Sequence, residues 1–146
     1  MRLRFVLITA LALSSMHAYA MEDPILQLIT ARNLKCHFGP GTSTLWLGGR
    51  QRSSTTHGGQ DFHLALIDIR NQSARVIGSM GARDIKVLPA RVGLSFVELT
   101  PSFVDLTTVF PIYGKEHDFL AVYTRHEMAS GASMAKQYYG SCQVTP

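Results

Sequence analysis

The chain has 146 residues, 46% of them hydrophobic and 16% charged, with a formal net charge of +4. That length suits one compact domain and leaves little room for two. The lack of a basic run argues against a nucleic-acid partner, whose phosphates need several clustered cations.

The chain opens Met1-Arg2-Leu3-Arg4, continues as the apolar run Phe5 to Leu13, and reaches Ala18-Tyr19-Ala20 through Ser14-Ser15-Met16-His17. A basic start, a short apolar middle and small residues at the third-last and last places form the pattern of a secretory signal peptide. The apolar run is far shorter than the roughly 20 residues that cross a bilayer. The expected division is a signal peptide over 1–20 and a single domain over 21–146, exported to the periplasm or the extracellular medium. No transmembrane segment remains after cleavage. Arg2 and Arg4 leave with the signal, so Lys plus Arg falls from 14 to 12 against 10 acids and the net charge falls to +2.

Asp23-Pro24 ahead of Ile25, Leu26, Leu28 and Ile29 places a cap and a proline where a helix starts, and predicts about two helical turns. Beyond it, short apolar or alternating runs recur: Leu34 to Phe38, Thr44 to Leu47, Phe62 to Arg70, Ala74 to Gly78, Asp84 to Leu88, Gly93 to Leu99, Val104 to Tyr113, Phe119 to Arg125, and Lys136 to Gln143. Turn residues separate them, including Gly39-Pro40-Gly41, Asn71-Gln72-Ser73, Gly81-Ala82-Arg83 and Thr100-Pro101-Ser102. Such spacing predicts an all-β fold, a small antiparallel meander barrel of about eight or nine strands behind a short N-terminal helix. Two stretches read as long loops, 48–59, rich in Gly, Ser and Thr, and Glu127 to Ala135. Asn71-Gln72-Ser73 fits an N-glycosylation acceptor and, more simply, a hairpin turn.

Cys36 and Cys142 are the only cysteines. In an oxidising compartment they have one intramolecular pairing available. A disulfide between them would join the first strand to the last and close the barrel, with Gly140 allowing close backbone approach at the seam. Alternation puts Tyr138 and Cys142 on one face and Tyr139 on the other.

Chemistry-bearing patterns are sparse. Ser133-Met134-Ala135-Lys136 matches Ser-x-x-Lys, but the Ser-Asp-Asn and Lys-Thr-Gly motifs that accompany it in penicillin-recognising enzymes are missing. His57, Asp61 and His63 are weak candidates for a metal, lacking a His-x-x-x-His or Cys-x-x-Cys spacing. Glu98 and Asp105 flank a turn and form a conceivable carboxylate pair. His117 lies in a turn, and His126 ends a strand. No cofactor is expected.

The stretches "LKCHFGPG" (34–41), "LIDIRNQSARVIGSMG" (66–81), "LSFVELTPSFVDLTTVF" (94–110) and "FLAVYTRHEMASGASMAKQYYGSC" (119–142) together resemble a group of small secreted bacterial proteins with one cysteine in the first strand and another in the last. These are similar to lipocalins in their meander. The resemblance implies a calycin-like single-domain barrel and brings no catalytic residues. Lipocalins lay a late-strand arginine over a first-strand tryptophan. Here Trp46 lacks the preceding Gly-x, and Arg125 is the candidate cover.

The expectation is a non-enzymatic exported binding module. Its partner is a small apolar ligand or an envelope protein, and the candidate binding side chains are Trp46, Tyr123, Arg125, His126 and Tyr138. One alternative is an inhibitor or immunity-type domain acting on an envelope enzyme or toxin. Another is a small hydrolase using a metal or a carboxylate, which requires several of the histidines to converge.

Overall fold

The computed structural model describes residues 23–129 and 131–146. The expected signal peptide over 1–20 lies outside the described residues. Helix α1 spans Pro24–Thr30. Asp23 caps it, its Oδ1 accepting from the Ile25 amide at 2.9 Å. Leu28 turns inward and is buried, and the helix packs against β6 and β7 at one end of the fold.

All strands belong to one antiparallel sheet: β1 (Asn33–Leu47), β2 (Arg50–Thr56), β3 (Gln60–Asp68), β4 (Ser73–Gly78), β5 (Gly81–Ala90), β6 (Gly93–Leu99), β7 (Phe103–Tyr113), β8 (Phe119–Ala129) and β9 (Ala132–Thr145). β1 and β3 to β9 follow one another in order, and β1 pairs back onto β9, which closes an eight-stranded barrel. β2 is an additional strand attached to the far half of β1. Up-and-down order with tight turns is what short alternating runs produce, because each strand finds its neighbour with little chain to close.

Inward positions carry the core: Leu34, Cys36, Phe38, Leu64, Val87, Leu94, Phe96, Val109, Phe119, Ala121, Tyr123, Tyr138 and Cys142 are buried. The rings of Phe38, Phe62, Tyr123 and Tyr138 form one aromatic cluster, with centroids 5.4 to 5.7 Å apart. Fully burying one such large side chain is worth roughly 1.5–3 kcal/mol, so this interior is the main stabilising element. Outward positions on the barrel wall include Lys35, His37, Asp61, Arg75, Asp84 and Lys86, all exposed or paired with one another. The outer face is mixed, with Leu66, Ile77, Leu88, Leu106 and Leu120 exposed beside these charged residues. Among the described residues no helix is long and apolar enough to cross a membrane.

The seam forms as the sequence predicts. Cys36 and Cys142 face each other in the β1–β9 register and are bonded. A Cβ on Gly140 would lie 2.0 Å from the His37 carbonyl oxygen, so only glycine lets the strands meet there. Tyr138 is buried and Tyr139 exposed, as alternation requires.

Three sequence expectations change. Gly39-Pro40-Gly41 is a bulge inside the 15-residue β1, where the β9 register shifts between Phe38 and Gly41. A Cβ on Gly41 would lie 2.1 Å from the Gln137 carbonyl oxygen, so this glycine serves close strand approach and not a reversal. The stretch 48–59 is mostly strand: Gly48 and Gly49, with φ of 56° and 73°, make a two-residue hairpin turn, and Arg50–Thr56 pairs with β1. Glu127 to Ala135 is likewise the end of the β8–β9 hairpin, paired from Glu127 with Met134 to Ala129 with Ala132.

The Asn71-Gln72-Ser73 turn is as expected. Asp68 accepts from the Asn71 amide at 3.0 Å and from its side chain at 2.8 Å. Those donors hold the Asp68 carboxyl below its ordinary range.

Candidate functional site

α1 covers one end of the barrel, so chemistry collects at the other, where β7, β8, β9 and β1 extend past the rest. Glu98, Asp105, Arg125 and Lys136 stand side by side on β6, β7, β8 and β9, each opposite the next in register. All point inward, in the row above the aromatic cluster. Arg83 reaches from β5 and grips both oxygens of Glu98. Arg125 grips both oxygens of Asp105, at 2.8 and 2.7 Å, and the Tyr123 hydroxyl donates to the same carboxylate at 2.9 Å. Lys136 donates to Glu127 at 2.7 Å. Three cations therefore meet three carboxylates, and the layer is internally neutral.

This layer has a structural cause. β5 pairs with β6 only from Lys86 to Ala90, so above Val97 the backbone ladder stops and the Arg83–Glu98 pair bridges the two strands instead. Hydrogen bonding to Glu98 raises the Arg83 pKa, and hydrogen bonding to Asp105 raises that of Arg125, so both guanidinia stay charged. Burial, then the charge of Asp105, pushes the Tyr123 hydroxyl well above its ordinary value. The space left beneath Arg83 and Arg125 is about 60 Å³, room for a few waters at roughly 10–15 Å³ each. Small-molecule chambers run to roughly 300 Å³ and more, and this inner cavity is well below that size.

A wider concavity lies on the outside of the same end, a groove of about 440 Å³. Ser133 lies between Met128 and Trp46 in register, and Ala135 between His126 and Thr44. The two small side chains on β9 form a floor, and the larger ones on β8 and β1 form walls. Trp46 is 53% and Met128 76% exposed, and Val104 extends the apolar wall onto β7.

The expected site residues thus divide. Trp46 and His126 line the outer groove, while Tyr123 and Arg125 border the inner cavity and Tyr138 is buried against Tyr123. Arg125 does not cover Trp46: its guanidinium lies 4.2 Å from the Phe103 ring centre. The bulge at 39–41 is the reason. It shifts the inward phase of β1 from Leu34, Cys36 and Phe38 to Gly41, Ser43 and Leu45, and so turns Trp46 outward.

Among the described residues, the candidate catalytic groups are either paired with other side chains or set apart. Glu98 and Asp105 do stand together, as a carboxylate pair would, yet each is taken up by its own arginine and neither is free to carry a proton to a leaving group. Ser133 and Lys136 lie on opposite faces of β9, Lys136 paired inward with Glu127. Asp61 is engaged by His37, a partner the sequence reading missed because it sits on a different strand. His63 shares the outer face of β3 with Asp61, and His57 lies in the exposed link before that strand. Among the described residues no group of three or more His, Cys, Asp or Glu converges as a metal site. Ser141, His37 and Asp61 are successive in register across β9, β1 and β3. That row is not an activated nucleophile, because the Ser141 hydroxyl donates to Asp118 at 3.2 Å and the His37–Asp61 pair stands in open solvent.

Set beside known proteins, the chain matches no family model, no curated protein and no solved structure.

Proposed function

We propose that the chain is a non-enzymatic, exported binding module of the small secreted barrel type, and that its partner is an envelope protein held at the outer rim groove. The observation that carries this reading is the exposed apolar wall pair, Trp46 and Met128, across a floor of Ser133 and Ala135. A rigid aromatic and a methionine flanking a groove are typical anchors of protein recognition, and exposed apolar patches mark contact sites. The packed interior supports an external site over a lipocalin-like chamber. The disulfide supports an oxidising compartment. An inhibitor acting on an envelope enzyme or toxin is one form this module takes.

Photocrosslinking in the host cell tests the reading. A benzophenone amino acid at position 46 or 128 is expected to give a discrete protein adduct, which Ser133→Trp removes by filling the floor. The same probe at Lys86, on the barrel wall, is expected to give none. No adduct from the groove positions, or equal adducts from Lys86, overturns it.

A further inference from the structure

β2 presents a second feature, independent of the groove. It is the terminal strand of the sheet order, paired with β1 on one side only. The cause lies in the lengths of its would-be neighbours. β3 pairs with β4 only as far as His63 with Ile77, and the β4–β5 hairpin turns back between Gly78 and Gly81. Among the described residues no strand therefore reaches up beside Arg50–Thr56, and its residues are exposed except for half-buried Thr56.

The turn fixes which peptide groups are unpaired. A two-residue hairpin turn closes on a hydrogen-bonded pair, here Leu47 with Arg50, and antiparallel ladders alternate. Arg50, Arg52, Ser54 and Thr56 therefore bond to β1, while the N–H and C=O groups of Gln51, Ser53 and Thr55 face the empty side. Arg50 and Arg52 project from one face of the strand, two residues apart, and neither has an ion-pair partner among the described residues. The cations deeper in the barrel are all neutralised by Glu98, Asp105 and Glu127.

We propose that the β2 edge takes up an extended acidic segment of a partner protein as an added strand. The segment bonds to Gln51, Ser53 and Thr55 through its backbone and places acidic side chains at alternate positions opposite Arg50 and Arg52. This rests on the reading of the protein as a binding module but not on the groove. The charge complementarity selects the occupant: an apolar strand would leave both guanidinia unpaired, and a basic one would repel them.

The test uses the full chain with two synthetic hexapeptides, acetyl-Thr-Glu-Val-Glu-Thr-Thr-amide and the same peptide with both Glu replaced by Lys. Amide exchange is followed by NMR. The Glu peptide is expected to slow exchange at Gln51, Ser53 and Thr55 by about tenfold or more, as new hydrogen bonds protect them, and the Lys peptide to leave them unchanged. Ser53→Pro is expected to abolish the effect, since it removes a donor on the empty side and none from the β1 ladder. Should that variant fail to fold, Arg50→Glu with Arg52→Glu keeps the backbone intact and is expected to reverse the peptide preference. Met128→Ala, on β8 and away from β2, is expected to leave peptide protection unchanged, so failure of the groove and failure of the edge are read separately. No protection with either peptide, protection that survives Ser53→Pro, or a peptide-insensitive dimer that Ser53→Pro dissolves would each overturn the proposal, the last by giving the edge to a second copy of this chain.

Discussion

Single side chains decide where polarity is tolerated in this barrel. Tyr123 packs on Phe38, Phe62 and Tyr138 and donates to Asp105, so it joins the apolar core to the charged layer. Because its pKa is raised on folding, the folded state keeps a proton that the unfolded chain loses. Its contribution is fully present below the ordinary tyrosine value of 10.0 and is lost as pH rises beyond it. Tyr123→Phe is therefore expected to flatten the loss of stability above pH 10, measured by urea unfolding at pH 8 and 11. At pH 8 the same substitution costs about 0.5–1.5 kcal/mol for the missing hydrogen bond. An alkaline slope equal to wild type contradicts this role. Little of this was legible in the sequence. Glu98 and Asp105 could be seen to flank a turn, but Arg83 and Lys136 came from strands whose register no local pattern specifies.

At the level of strands, glycines and register shifts set the shape, that of β1 above all. The short runs and the capped helix were visible in the sequence because alternation and Asp-Pro capping are local signals. The long β1, β2 and the β8–β9 tip were not. Arg50–Thr56 is polar on both faces, and alternation cannot announce a strand that buries neither side; in β1 and at the β8–β9 tip, glycines and small residues read as turns. The bulge had the largest consequence, since it moved Trp46 from an inward series to the outer groove. Gly140 was correctly read as a point of close approach. Gly140→Ala is expected to destabilise the protein by about 1–3 kcal/mol or more, because the β1 backbone must shift to admit the methyl group. Thermal unfolding measures it, and a melting temperature equal to wild type would show that the seam is looser than its geometry.

For the molecule as a whole, the disulfide joins strands that would otherwise be held at the barrel's closure by ladder bonds alone. Cys36 and Cys142 are 106 positions apart, and loop closure of that length is worth about 4–5 kcal/mol in the chain-entropy account, less any structure in the unfolded chain. Replacing both with Ala is expected to lower the melting temperature markedly, with reductant having no further effect on that variant. Both cysteines were legible as a closure device because only one pairing existed. The split between a small inner cavity and an outer groove was not, since the same alternating strands build packed barrels and hollow ones.

Native mass spectrometry of the protein purified from its own host without added ligand tests that division most directly. The account predicts the chain alone, or the chain with a protein partner that Trp46→Ala releases. A stoichiometric small molecule carried equally by wild type and Trp46→Ala would contradict it, because such a ligand would sit away from the outer groove.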